Sequence, residues 1–265
     1  MENNNENSFI EKINQKRKSK TKAVLLLLGI FSSLIFLSVL ASSWYSKQAI
    51  KSIRISGNTV LTAGEINAII DEKIMNVPTE GINLKEIRSK IETHEYVENA
   101  DVWFNSKGVL GIEIKERVPV GLVVKPNGEI VFVDQTGAIF KYRLYKEYTD
   151  LPIISNVFRH NSRNNTHSID NVILSGALDI VTELQSNFPK LNSIVSEVKF
   201  NTVSKNYELF LTEANIKIDF GRAENITDKM EKIYVFWREK ISTVQDKSAF
   251  RNIDVKWNNV VIVKN

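Results

Sequence analysis

The stretch Ala23–Ser46 constrains this chain most, because it carries no charge between Lys22 and Lys47. A helix rises ~1.5 Å per residue, so this stretch would reach about 36 Å as a helix, which exceeds the ~30 Å core of a bilayer. A helix can cross lipid because its backbone groups bond one another. Trp44 and Tyr45 lie at its end, where aromatic side chains favour the membrane–water interface. The sequence therefore predicts one transmembrane helix at 23–46.

A cleaved signal peptide is the alternative interpretation of the same stretch. Basic residues precede it, and Val39–Ala41 resembles a small-residue cleavage site. The apolar run is nevertheless longer than the ~7–15 residues of such peptides. An uncleaved anchor is therefore the preferred interpretation.

The charges beside the apolar stretch predict its orientation. Lys and Arg flanking one end of a membrane helix mark the cytoplasmic side. Residues 1–22 are predicted to form a cytoplasmic basic tail, and residues 47–265 to lie outside the cytoplasm. The basic residues before the helix are Lys12, Lys16, Arg17, Lys18, Lys20 and Lys22.

Composition excludes several function classes. The chain has no cysteine, so thiol nucleophiles, thiolate metal sites and disulfides are excluded. The net charge of +4 comes partly from the tail. Beyond the tail the charges alternate in sign, so no basic face for nucleic acid is predicted. With 43% hydrophobic residues, the outer part can build one or two domains.

Residues 49–116 show the order strand, helix, helix, strand, strand. Thr62 and Glu65 have capping-box spacing before the first helix, and Asn83 can cap the second. Apolar and polar residues alternate along 49–56 and 96–105 and at positions 110, 112 and 114, which is typical of half-buried strands. The pattern predicts a three-stranded sheet with two helices on one face.

Residues 119–265 are predicted to be rich in strands, with two packed helices. Phe158–Thr166 is polar and rich in turn-forming residues, which indicates a loop. Helical spacing covers Ile169–Phe188, and Thr227 is predicted to cap a second helix that runs to Lys240. The predicted strands are 121–125, 129–133, 138–142, 194–201, 207–211, 216–220, 252–257 and 260–263.

Four segments of the chain carry a family resemblance: SIRISGNTVLTAGEI, EYVENADVWF, LGIEIKERVPVGLV and FVDQTGAIF. In these segments and their order, the chain resembles the FtsQ/DivIB family of bacterial cell-division proteins. The resemblance implies an α+β fold: a single N-terminal transmembrane helix, a polypeptide-transport-associated (POTRA) domain of β-α-α-β-β order, and a C-terminal β-rich domain with packed helices. The predicted parts are a tail at 1–22, the membrane helix at 23–46, the POTRA domain at 47–118 and the β domain at 119–265.

A search for catalytic chemistry finds only patterns with simpler explanations. Ser196 and Lys199 have S-x-x-K spacing, but they fall in a predicted strand rather than at a helix start. His160 and His167 lie in or beside the predicted polar loop, without further ligands to complete a metal site. Asp134 is explained by turn chemistry. The sequence therefore predicts no enzyme, no cofactor, no metal and no small-molecule substrate.

The resemblance implies a non-enzymatic scaffold of the divisome. Such a protein links early cytoplasmic components to extracytoplasmic synthesis of the septal cell wall, and it resides in the inner (plasma) membrane at the division septum. Its partners in the family are FtsB and FtsL, and other septal proteins are further candidates. The family's last strand receives a segment of FtsB, an edge-strand mode of recognition.

By position, the resemblance assigns partner contacts to four residues: Lys256, Trp257, Asn259 and Val260. Trp257 stands where the family often has an aromatic residue, a frequent hot spot. The family's turn glycine is missing after Asn259, so a register shift of one residue is an alternative. A further alternative is that the strand is only the last element of the sheet, with Trp257 in the core.

Two other functions remain as alternatives. A POTRA-containing transport or outer-membrane assembly component would bind unfolded outer-membrane substrates. A membrane-anchored cell-wall enzyme would turn over peptidoglycan, and it would need a nucleophile constellation that the sequence lacks.

Overall fold

A computed structural model describes residues 25–42, 49–70, 74–75, 77–78, 81–105, 107–145, 148, 150–162, 165–257 and 260–264. The described chain divides into two compact units. The first comprises the described residues up to Ile91 together with Ala100–Ile114, and the second comprises Glu92–Asn99 and the described residues from Lys115 onwards.

The apolar stretch forms helix α1, Leu25–Ser42, with a mean hydropathy of 2.4 and none of it buried in the protein. Its length and composition suffice to cross a membrane. The flanking residues 23–24 and 43–48, with the interfacial aromatics Trp44 and Tyr45, lie outside the described residues, as does the basic tail.

The next five elements have the predicted β-α-α-β-β order. The sheet order is β1-β3-β2, with β1 parallel to β3. The Thr62 hydroxyl accepts the Glu65 N–H, and the Glu65 carboxylate accepts the Thr62 N–H, so the capping box is confirmed. The elements are β1 (Ser52–Ser56), α2 (Ala63–Ile69), α3 (Leu84–Glu92), β2 (Val97–Phe104) and β3 (Val109–Glu116).

Apolar side chains spaced for these elements meet in a core. Ile66 of α2 and Ile91 of α3 are fully buried, as are Leu110 and Ile112 of β3. Gly57 ends β1 with a φ of +79°, and a Cβ there would lie 2.0 Å from the Ile114 carbonyl oxygen. Only glycine fits this close backbone approach.

The strands of the second unit are β4 (Pro119–Val124), β5 (Ile130–Asp134), β6 (Ile139–Lys141), β7 (Ile153–Ser155), β8 (Phe158–Asn161), β9 (Thr166–Ile169), β10 (Val195–Asn201), β11 (Asn206–Leu211), β12 (Lys217–Gly221), β13 (Asn252–Asp254) and β14 (Ile262–Lys264). Nine of them form a mixed sheet of order β14-β13-β12-β11-β10-β7-β4-β5-β6, and β8 and β9 form a separate hairpin.

Helices pack on this sheet. Helix α4 contacts β4, β10 and α6, and its buried face carries Leu178, Val181 and Leu184. The Asp170 carboxylate caps it by accepting the N–H groups of the first turn. The helical elements are α4 (Asn171–Asn187), α5 (Pro189–Asn192), α6 (Ile226–Phe236), a π-helical turn (Trp237–Ile241) and a 3₁₀ turn (Ser248–Phe250).

The last two strands are shorter than the predicted 252–257 and 260–263. Strand β13 ends at Asp254 and β14 begins at Ile262, so Lys256, Trp257 and Val260 lie on neither strand. The Asp254 side chain accepts the Lys256 N–H, which is therefore not available to the strand ladder.

Two further sequence-based predictions are wrong in this unit. Phe158–Thr166 is not a loop, because its ends form the strands β8 and β9. Both strands expose most of their side chains, so they lack the alternation by which a half-buried strand is recognised. Thr227 is not a cap, since α6 begins at Ile226 after Asn225, which adopts a left-handed conformation without a side-chain cap bond.

Candidate functional site at the C-terminal sheet edge

Strand β14 is one outer edge of the nine-stranded sheet. It pairs antiparallel with β13, so that Ile253 lies opposite Val263. All three of its residues are exposed. Among the described strands β14 has a neighbour on one side only, and such an edge presents backbone N–H and C=O groups to another chain.

The buried side chain of Asp254 binds the residues that form this edge. Its side chain is 2% exposed, and its Oδ2 accepts the Lys264 ammonium at 2.8 Å, while its Oδ1 accepts the Lys256 backbone N–H at 3.1 Å. Burial acts to raise the pKa of Asp254, but the hydrogen bonds from Lys264 and Lys256 outweigh it and hold the pKa below its usual value. The buried carboxylate therefore ties both the last strand and the preceding segment to β13.

Lys256 is held in the same cluster. Its Nζ donates to Asp219 Oδ2 at 2.6 Å and lies 3.4 Å from Asp254 Oδ2. The hydrogen bond to Asp219 raises the pKa of Lys256. Its stem lies over Gly221, where a Cβ would approach Lys256 Cγ to 2.7 Å. Lys256 therefore forms intramolecular contacts in this structure. The role of Lys256 as a partner contact stays a prediction.

Helix α6 fixes the backbone that carries Trp257. The Lys232 ammonium donates to the carbonyls of Val255 and Trp257, at 2.9 and 2.7 Å. The Trp257 side chain is 58% exposed and that of Val260 48%. The alternative that Trp257 is a core residue is therefore wrong. Asn259 lies outside the described residues.

A groove of about 760 Å³ lies between α6 and the chain that leads into β14. Its walls include Asp228, Glu231 and Phe236 of α6 and Val261. The β14 edge, the exposed side chains of Trp257 and Val260, and this groove together form a surface suited to binding an extended segment. Among the residues that the structure describes, no group of three or more His, Cys, Asp or Glu side chains could hold a metal ion.

The other residues singled out by sequence have structural explanations. Asp134 Oδ1 accepts the N–H groups of Thr136 and Ala138, which confirms the predicted turn chemistry. Its Oδ2 accepts Arg117 at 2.7 Å. Ser196 lies in strand β10 and donates to the Phe210 carbonyl, which is unlike a catalytic serine at a helix start.

The residues that hold the edge in place are not recognisable from the sequence. These are Asp219, Lys232, Asp254 and Lys264. The Asp254-x-Lys256 spacing is visible in the sequence, but charged pairs two residues apart are common on exposed strands. The partner of Lys256 is Asp219 of β12 and that of Asp254 is Lys264 of β14, and nothing local indicates which strands become neighbours.

Two family profiles match the chain, one after the other. A profile described as "FtsQ/DivIB, C-terminal related" matches residues 118–263. A profile described as "POTRA domain, FtsQ-type" matches residues 48–117. No curated protein matches the chain. The FtsQ-type match of the POTRA region, joined to the C-terminal match, favours the cell-division family over a transport component.

Proposed function

The chain belongs to the FtsQ/DivIB family of non-enzymatic cell-division scaffolds, and from this premise we propose that it binds FtsB and FtsL through the β14 edge. Family membership implies protein partners in the divisome. The finer assignment, a segment of FtsB added as a further strand beside β14, follows the family's mode of recognition.

The observation that carries the proposal is the exposed β14 edge with Trp257 and Val260 beside it. Strand addition draws affinity from backbone hydrogen bonds and specificity from side chains in alternate positions. Asp254, Lys256 and Lys232 hold this segment before any partner arrives. A pre-organised edge reduces the ordering entropy that binding must overcome.

The shortness of β14 makes the side-chain anchors necessary. Three residues can contribute roughly two to four backbone hydrogen bonds, each worth about 0.5–1.5 kcal/mol net. Micromolar affinity requires about 8 kcal/mol. Burial of Trp257 and Val260 by the partner is therefore expected to supply much of the difference, with further contacts in the groove beside α6.

The membrane helix gives the scaffold its placement. Helix α1 is long and apolar enough for a single pass, and the basic residues before it favour a cytoplasmic N-terminus. With this topology, the tail would face the early cytoplasmic components, and residues 47–265 would face the septal machinery for cell-wall synthesis. Residence in the inner membrane at the septum is part of the same proposal.

The test is binding of the full-length chain, in detergent micelles, to the FtsB–FtsL pair of the same organism. Trp257→Ala is expected to weaken binding by more than about 2 kcal/mol, roughly thirtyfold. Trp103→Ala is the matched control, because Trp103 is also a partly exposed tryptophan, at 43%, and lies on β2. Its affinity should stay within about threefold of the wild type, less than 1 kcal/mol.

A cross-linking experiment tests the strand addition itself. The chain has no native cysteine, so Val263→Cys introduces a single thiol on β14. It should form a disulfide with a cysteine placed in the FtsB segment, whereas Val203→Cys, at an exposed turn, should not. Binding that ignores Trp257 and forms no cross-link at Val263 would move the site elsewhere. Absence of binding by a folded chain would overturn the assignment of FtsB and FtsL as its partners.

A further inference from the structure

Two histidines face each other across the hairpin β8–β9. His160 is paired directly with His167 in the antiparallel register, and their ring centroids are 4.8 Å apart with planes inclined by 43°. Both side chains are exposed. They are two of the three histidines in the chain.

This separation suits two ligands of one metal ion. Zn–N bonds of about 2.0–2.1 Å with a near-tetrahedral angle between them put the centres of two ligating imidazoles about 5 Å apart. Cross-strand neighbours on one face of a ribbon reach such distances without backbone movement. The observed pair therefore needs only small side-chain rotations to share an ion.

The base of the hairpin holds the pair in register. Phe158 lies opposite Ile169, next to the histidines on the same face, and both pack against the core. The Asp170 N–H donates to the Val157 carbonyl at 2.8 Å, just beyond the strands. Arg159 forms an ion pair with the Asp170 carboxylate. The two imidazoles are therefore attached to an anchored ribbon.

The surroundings favour an ion that prefers nitrogen ligands. Among the described residues, no hydrogen bond or ion pair joins either imidazole to another side chain, so coordination displaces no contact there. No carboxylate on the described part of the hairpin faces the pair, and the residue that follows His160 on the same side is the exposed Ser162. Hard cations such as Ca²⁺ and Mg²⁺ require oxygen ligands, whereas imidazole suits Zn²⁺, Ni²⁺ and Cu²⁺.

We propose that His160 and His167 form a two-ligand site for a divalent transition cation, with water in the remaining positions. The ion bridges β8 and β9 and thereby clamps this two-stranded hairpin above its anchored base. An isolated hairpin is only marginally stable in water, so the ion stabilises it by binding the paired form. The site is independent of the β14 edge and of the proposed partners.

The test is a titration of the full-length, untagged chain in detergent with Cu²⁺, which binds nitrogen sites most strongly among these ions. The expected result is one site per chain, with an electron paramagnetic resonance signal of two coordinating nitrogens. Each of His160→Ala and His167→Ala should weaken binding at least about tenfold, because each removes half of the protein ligands. His94→Ala is the matched control and should bind as the wild type does.

A second measurement uses Zn²⁺ and hydrogen exchange. Zn²⁺ should slow amide exchange across β8 and β9 in the wild type and in His94→Ala, but not in the two hairpin variants. The proposal is overturned if the wild type binds no Cu²⁺ below about 1 mM, an affinity near −4 kcal/mol. It is also overturned if both hairpin variants retain the affinity and the two-nitrogen spectrum.

Discussion

The two edges of the nine-stranded sheet, β6 and β14, differ in how side chains contact their backbone groups. At β6, the Lys141 N–H donates to the Glu95 carboxylate at 3.0 Å, and the Lys141 carbonyl accepts the Tyr96 hydroxyl at 2.8 Å. Side chains thus occupy the two backbone groups of Lys141 that a further strand would use. Near β14, the side chains of Lys256 and Lys264 form ion pairs with Asp254. These ion pairs stabilise the edge without bonding to the outward backbone groups of β14.

This difference supports the proposal that β14, and not β6, is the edge that binds a partner. Proteins block exposed sheet edges because free backbone groups invite non-specific pairing. An edge that is closed by side chains is protected from association, and one that is stiffened but open is suited to it. The contrast makes β14 the candidate interface. Tyr96 and Glu95 instead block the β6 edge against pairing with another strand.

The largest expected effect comes from removing the tyrosine at the closed edge. Tyr96 is 1% exposed, and its ring meets Phe140 edge-on at 5.0 Å between centroids. Tyr96→Ala removes this buried ring and should reduce the free energy of unfolding by about 3–5 kcal/mol. The measurement is urea denaturation of the full-length chain in detergent.

Tyr96→Phe separates the ring from the hydroxyl. It keeps the packing and loses only the bond to the Lys141 carbonyl, so a loss of about 1 kcal/mol is expected. If Tyr96→Ala cost less than about 1 kcal/mol, the β6 edge would not depend on this residue, and the contrast between the edges would fail.

The second effect concerns the open edge. Asp254→Asn removes the charge that two lysines share and leaves Lys264 without its acceptor. Breaking a buried ion pair costs about 3–5 kcal/mol, but both lysines reach solvent, so a loss of about 2 kcal/mol is expected. Asp101→Asn is the control, because Asp101 forms only an exposed ion pair with Arg88, and it should change stability by less than about 0.5 kcal/mol.

Acid pH should remove the difference between the wild type and Asp254→Asn. The pKa of Asp254 is lowered in the folded protein, so its contribution is fully present above the unfolded pKa of about 3.9 and is lost as the pH falls through the lower, folded value. The two denaturation midpoints should therefore approach each other as the pH falls below about 4 and coincide once it is below the lowered pKa of Asp254. A difference that did not narrow over this range would mean that packing, not charge, sets the cost.

Much of this architecture could be predicted from the sequence. The β-α-α-β-β order, the Thr62 cap and the Asp134 turn depend on residues close in sequence, which spacing reveals. The hairpin β8–β9 was missed because only Phe158 and Ile169 of its register pairs pack on the core. Exposed strands leave almost no periodic signal.

The candidate site was predictable only in part. Trp257 and Val260 could be assigned by resemblance, and the structure exposes both. The cluster around Asp254 could not be predicted, because it joins β12, β13 and β14. Local sequence patterns indicate neither the order of strands in a sheet nor their register. The closed edge was missed for the same reason, since Tyr96 and Lys141 are 45 residues apart.

The smallest expected effect on stability is at the residue expected to matter most for binding. Trp257 is 58% exposed, and the contacts that hold its backbone come from Lys232, which the substitution leaves intact. Trp257→Ala should therefore change the free energy of unfolding by less than about 0.5 kcal/mol. Trp103→Ala should reduce the free energy of unfolding more, because the Trp103 ring packs closely against Gly111. A Cβ added to Gly111 would lie 2.3 Å from Trp103 Cε2. If Trp257→Ala were the more destabilising in denaturation, Trp257 would serve the fold, and the open edge would lose its main anchor. Equal folding with weakened partner binding would identify an exposed tryptophan that serves the partner.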